Sequence, residues 1–175
     1  MSEELDEPTY IEIVCEARLN PTENRETIEE ILNSFLSGEI ILDERFESKY
    51  LLIRNSNWEA LEMLSDWIRH SRLLDTIRRR LLKSSIGNIT ALYFNRQAAA
   101  MGKLSLIDVD DNPPLGSITY QIVSDGLEYL INKFTPKTHE GKEISDDEWE
   151  TINRRRMIQM EKKKESRSNF LHKEY

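Results

Sequence analysis

A single cysteine, Cys15, leaves this 175-residue chain without an internal disulfide and without the thiol cluster that a structural zinc site needs. Set in an apolar run, it reads as a core thiol. Histidine is almost as scarce. His70, His139 and His172 lie far apart, none at helical spacing from another, so a histidine-based metal centre has no support. Glycine is sparse too, and neither a P-loop run nor a GxGxxG following a strand occurs, which removes the backbone cradle that nucleotide phosphates use. No nucleophile elbow stands beside an orienting histidine. Asp108, Asp110 and Asp111 bring carboxylates together, yet Pro113 and Pro114 follow where a calcium loop needs its glycine and distal glutamate, so a solvated loop fits better. No apolar run reaches membrane-spanning length, and the chain begins with Glu3, Glu4, Asp6 and Glu7 rather than a basic segment leading into an apolar one. The expectation is a cytoplasmic protein with no membrane partner, no cofactor, no metal and no catalytic set.

Charge is what the chain has in quantity. Its 24 Lys and Arg against 32 Asp and Glu give a net charge of −8, so long-range attraction to a polyanion is excluded and any such contact must be local. The distribution is uneven. Residues 1–56 carry 5 basic and 14 acidic side chains, whereas residues 57–107 carry 8 basic and 4 acidic. A basic surface in the middle of the chain is therefore compatible with the acidic total.

The length suits one core with appended helix. Tyr10 to Ala17 alternates as a half-buried strand. A helix from Asn24 carries Ile28, Ile31, Leu32, Phe35 and Leu36 and stops at Gly38. Ile40 to Phe46 and Lys49 to Arg54 read as two strands; neither Glu47 nor Ser48 favours positive φ, so a longer or twisted turn is expected between them. The helical pattern from Ser56 or Asn57 to Leu82 is too long to be unbroken, and a bend near His70 and Ser71 divides it into two amphipathic helices. Ile89 to Asn95 is a strand, Arg96 to Met101 a short helical turn closed by Gly102, and Leu104 to Ile107 a further strand. Ile118 to Val123 gives the last strand, after which Ser124 and Asp125 can cap a helix bearing Leu127, Leu130, Ile131 and Phe134. Beyond Pro136, Ser145 and Glu148 fit a capping box opening a highly charged helix to about Lys164. The organisation expected is an acidic tail at residues 1–8, one α+β domain at 9–135, and a charged helical extension at 136–175.

Three sets of polar residues are candidates for binding. Arg69, Arg72, Arg78, Arg79, Arg80 and Lys83 lie on helices, where spacings of three and four bring Arg69 near Arg72 and Arg79 near Lys83. They either position phosphates or form a solvated face paired with Asp66 and Asp75. Asn95, Arg96 and Gln97 follow a strand at a helical turn, where they could hold a phosphate or a base edge, or Asn95 could merely cap. At the corner Arg18 to Glu23, Asn20 or Thr22 can cap, Pro21 fixes the entry, and Asn24 offers a second N-cap before Arg25 and Glu26. Arg18 beside Glu23 is either an internal ion pair or a phosphate ligand oriented by that pair.

Arg18 to Glu23, Leu73-Leu74-Asp75-Thr76 with Arg78, and Phe94-Asn95-Arg96-Gln97-Ala98-Ala99 with Gly102, in this order, resemble an archaeal family of uncharacterised proteins whose suggested role is RNA binding. The resemblance covers about residues 8 to 135. It implies a fold similar to large-subunit ribosomal protein five, with helices on one face of an antiparallel or mixed sheet. The function expected is non-enzymatic recognition of structured RNA, ribosomal or transfer RNA among the candidates. Arg18, Arg96 and Gln97 would make directional contacts, Arg69, Arg72, Arg78, Arg79 and Lys83 would position phosphates, and Asn20, Thr22 and Asn95 complete the RNA-binding set. The alternative is an assembly module, a homodimer joined through a sheet edge or the tail helix. A third reading is an enzyme acting on a phosphorylated metabolite at the Arg18 and Arg96 corner.

Overall fold

Alternation of Ile11, Ile13, Cys15 and Ala17 with Glu12, Val14 and Glu16 places β1 (Ile11–Leu19) at the centre of an antiparallel sheet with one buried face. The computed structural model describes residues 6–171, with side-chain surroundings through residue 165. Its five-stranded sheet runs β2 (Ile40–Arg45), β3 (Ser48–Asn55), β1, β5 (Ser117–Ser124) and β4 (Ile89–Asn95). Cys15 stands opposite Ile53 on one side and Tyr120 on the other, and Ala17 stands opposite Leu51 and Ile118. Because the side-chain period of a strand is two, this register turns a continuous apolar surface to one side.

Helices α1 (Arg25–Phe35), α2 (Leu61–His70), α3 (Leu74–Ser84) and α5 (Leu127–Phe134) cover that surface, and α4 (Arg96–Ala100) closes the end of β4. Ile28, Leu32, Leu64, Ile68, Ile77, Leu81, Leu130 and Ile131 share one buried cluster with the strand residues. The Phe35 ring lies 5.0 Å from Trp67 and 5.1 Å from Phe94 at tilted angles, joining α1, α2 and β4. Each large apolar side chain buried here stabilises the fold by roughly 1.5–3 kcal/mol before entropy is counted. The opposite sheet face is polar and self-paired. Arg45 meets Glu16 and Asp43, each at 2.7 Å, and Arg54 meets Glu12 at 2.5 Å.

Local chemistry explains several element ends and corrects three expectations. Of the caps expected at this corner it is Asn24, not Asn20 or Thr22, that serves α1, its carboxamide accepting from the Glu26 amide at 2.9 Å. The β2–β3 connection is a tight loop of Phe46 and Glu47 rather than a longer turn, with Phe46 at φ 54° and its ring fully exposed. The hairpin register imposes that conformation, overriding the residue preference. Leu104 to Ile107 is not a strand. It contacts β4 through two backbone bonds, Asn95 N to Ser105 O at 2.8 Å and Ile107 N to Tyr93 O at 3.0 Å, with one isolated bridge. Asp125 does not cap α5; its carboxylate instead accepts from the Thr9 and Tyr10 amides, each at 3.0 Å. The expected bend is a break at residues 71–73, with Arg72 at φ 57°.

The chain divides into two compact units, one ending at Pro136 and one beginning at Lys137. The second holds a short hairpin, β6 (Thr138–His139) and β7 (Lys142–Glu143), and the helix α6 (Asp146–Leu171). Its capping box forms as the spacing predicts: the Glu148 amide donates to Ser145 Oγ at 3.3 Å and the Ser145 amide to Glu148 Oε2 at 3.0 Å. Among the described residues no helix is long and apolar enough to cross a membrane.

Candidate functional site

Two of the three candidate segments meet at the corner where β1 leaves the sheet. Glu23 is the hub. Its Oε2 accepts from the Asn20 amide at 2.9 Å, the Glu23 amide returns a bond to the Asn20 carbonyl at 3.0 Å, and Glu23 Oε1 lies 2.6 Å from Arg96 Nη2. The other Arg96 terminal nitrogen donates to the Arg18 carbonyl. Only 3% of the Arg96 side chain is exposed. Gly116, at φ 84°, brings a turn backbone against the guanidinium; that left-handed conformation favours glycine. Arg96 is thus an internal staple joining α4 to the β1–α1 corner. The partner of Glu23 is Arg96, not Arg18.

Asn95 caps α4, its Oδ1 accepting from the Ala98 amide at 2.9 Å, and Gln97 is exposed beside it. Arg18 and Thr22 are exposed. Arg18 projects from the sheet face opposite the helices, and its guanidinium has no hydrogen bond or ion pair among the described residues. A cavity of about 440 Å³ lies beside it, lined by Asn20, Glu23, Ser48 and Lys49 among others. Its one nearby general-base candidate of any burial, Glu23, is already committed to Arg96.

The basic helices divide into tied and untied cations. Arg78 Nη1 donates to the Thr135 carbonyl at 2.7 Å and Nη2 to Asn132 Oδ1 at 2.6 Å, fastening α3 to the end of α5. Arg69 Nη1 donates to Ser65 Oγ at 2.7 Å and stands 3.6 Å from Asp66. Arg80 pairs with Asp108. Arg72, Arg79 and Lys83 are exposed and carry no hydrogen bond or ion pair among the described residues. Arg79 and Lys83 are one helical turn apart on α3. These groups do not share one surface, because α3 covers the sheet face opposite the one Arg18 leaves.

A groove of about 350 Å³ between α2 and α5, lined by Trp58, Leu61, Ser65, Arg69 and Lys133, contains one sequence candidate, Arg69. Lys133 Nζ sits 5.9 Å from the Trp58 ring centroid and 5.5 Å from that of Tyr129. A tryptophan directly after an Asn cap, off the apolar stripe of α2, is a further sequence signal for it. Among the described residues no group of His, Cys, Asp and Glu could hold a metal ion.

No protein-family model matches the chain. A UPF0201 protein of Sulfolobus acidocaldarius is 33% identical over 130 residues, covering 74% of this chain and 90% of that protein. One of Sulfurisphaera tokodaii is 31% identical over the same length and shares. The crystal structure of a UPF0201 protein from Methanococcus jannaschii superposes with a TM-score of 0.66 at 25% identity, covering 77% of this chain and 99% of that one. That protein is matched nearly end to end, and the share of this chain left over is the size of the unit from Lys137 onward. The chain belongs to the archaeal UPF0201 family.

Proposed function

We propose that the protein is a non-enzymatic binder of structured RNA, whose first unit contacts the ligand along the outer side of α3. The observation carrying this reading is that Arg72, Arg79 and Lys83 stay exposed and unpaired while the neighbouring arginines are tied to carbonyls and carboxylates. Unpaired cations release condensed counterions on meeting phosphates, which is the main source of affinity for nucleic acid. The resemblance to a family suggested to bind RNA, with a fold like large-subunit ribosomal protein five, points the same way. Duplex DNA is the weaker ligand here, because RNA offers loops and shape that a sheet edge and helix ends can read.

Titration of bulk transfer RNA at increasing salt tests the reading. Arg79→Glu with Lys83→Glu should weaken binding at least tenfold at low salt and flatten the salt slope by about 2. Salt-independent binding, or none by the parent protein, overturns it.

The outer edge of β2 favours a second reading, assembly through strand addition. β2 is the last strand on its side of the sheet, and Ile41, Leu42 and Phe46 are exposed there. An open apolar edge is a template for another strand. A monomer by light scattering over a wide concentration range excludes self-pairing.

A further inference from the structure

The densest unpaired positive charge of the molecule lies in α6, not in the family body. Arg154, Arg155, Arg156, Lys162, Lys163 and Lys164 are all exposed, and none has a hydrogen bond or ion pair among the described residues. Glu161 is the lone carboxylate between Arg154 and Lys164. Four of the six carboxylates of the helix, Asp146, Asp147, Glu148 and Glu150, stand in its first turns, where they complement the helix dipole, and Glu161 and Glu165 flank the second basic run. Eleven helical residues span roughly 16 Å, so six cations stand within that length.

We infer that this stretch of α6 is a phosphate-binding arm for RNA, supplying most of the salt-dependent affinity. The inference rests on the RNA reading of the first unit and assigns its electrostatic part to the second. One feature selects RNA over the other large anionic surface, a membrane. An interfacial helix needs its apolar residues on one side. Met157 and Ile158 are consecutive, so they point about 100° apart, and Arg154, Arg155 and Arg156 already cover three successive directions. Cations facing all round the axis suit a ligand whose phosphates lie on more than one side of the helix, as they do within a groove of folded RNA. The unit from Lys137 onward is about the size of the share of the chain that the solved family body leaves unmatched. Such a unit can add general affinity without altering the body's own contacts.

The test uses the full chain, with those six residues changed together to Gln, a good helix former. Circular dichroism checks that the helix persists, and a second variant replacing the three arginines by lysine keeps the charge. Bulk transfer RNA and a duplex RNA are titrated between about 50 and 200 mM salt, in parallel with phosphatidylserine vesicles. The expected result is that the Gln variant binds RNA at least tenfold more weakly, with a log–log salt slope shallower by roughly 3 or more, while the lysine variant keeps the parent slope. If the parent binds RNA and the Gln variant binds with the same slope, the arm is overturned and the RNA reading of the body stands. If the parent binds no RNA, both fall. Binding of the parent to vesicles but not to RNA overturns the arm in favour of a lipid surface.

Discussion

Arg96 Nη2 and Glu23 Oε1 lie 2.6 Å apart in a setting that leaves 3% of the arginine side chain and 17% of the glutamate exposed. The pair closes a sequence separation of 73 residues and holds α4 against the β1–α1 corner. A buried pair contributes little net stability against an apolar substitute, but removing one partner strands the other's charge. Arg96→Ala should therefore cost about 3–5 kcal/mol in urea unfolding. Arg96→Lys should recover only part of this, since one ammonium cannot reach the Glu23 carboxylate and the Arg18 carbonyl with the same planar geometry. A loss below about 1 kcal/mol for Arg96→Ala would refute the staple.

Arg78 and Arg79 are adjacent in sequence and differ in role. Arg78 bonds the Thr135 carbonyl and Asn132 Oδ1, whereas Arg79 is exposed. Hydrogen bonds from a charged donor contribute about 1.5–3 kcal/mol each, so Arg78→Ala should destabilise by at least about 2 kcal/mol. Arg79→Ala should stay within about 0.5 kcal/mol of the parent. Denaturation midpoints of the two variants check this directly, and equal effects would remove the distinction between strut and surface cation.

The contrast also shows what a sequence can and cannot reveal. Strand and helix periods were legible because they depend on neighbours two to four residues away: Ile13 and Cys15, or Ile28 and Leu32, announce a buried face unaided. The break between α2 and α3 and the Ser145–Glu148 box were legible for the same reason. The partner of Glu23 was not. Arg18 is five residues from it and Arg96 seventy-three, and only the fold decides which guanidinium turns inward. The run Arg78-Arg79-Arg80 reads as one patch, yet helical rotation sends one side chain to α5, one to solvent and one to Asp108. Phe46 at positive φ is illegible in principle, because the paired strands impose it against the residue's own preference.

Tyr120 stands opposite Cys15 in the middle of the core, and its hydroxyl has no hydrogen-bond partner among the described residues. Burial pushes both its phenol and the Cys15 thiol up, so both remain neutral across the physiological range. A buried hydroxyl without a partner carries a desolvation cost of about 1–3 kcal/mol. Tyr120→Phe keeps the ring and removes that cost, and should raise the thermal midpoint with a gain of roughly 1 kcal/mol. A fall in the midpoint would mean that the hydroxyl is satisfied in solution.

Asp125 ties the approach to β1 to the turn after β5, accepting from the Thr9 hydroxyl and from the Thr9 and Tyr10 amides at 3.0 Å. The Thr9 hydroxyl, followed by the Tyr10 amide, holds the Asp125 carboxyl below the usual carboxylate range. A lowered folded-state value means that the unfolded chain takes up the proton first as the solution is acidified. The contribution of this tie is thus complete above the ordinary aspartate range and is lost as the pH falls through the folded value. In Asp125→Asn that acid-dependent part is absent, whereas the other carboxylates titrate in both proteins. The difference in urea midpoint between parent and variant should therefore be largest near neutrality and shrink toward about pH 3. Exchange of the Tyr10 amide should be faster in the variant at neutral pH and similar in the two at the acid end. A midpoint difference constant from neutral to acid pH would show that the carboxylate charge does not hold this strand end.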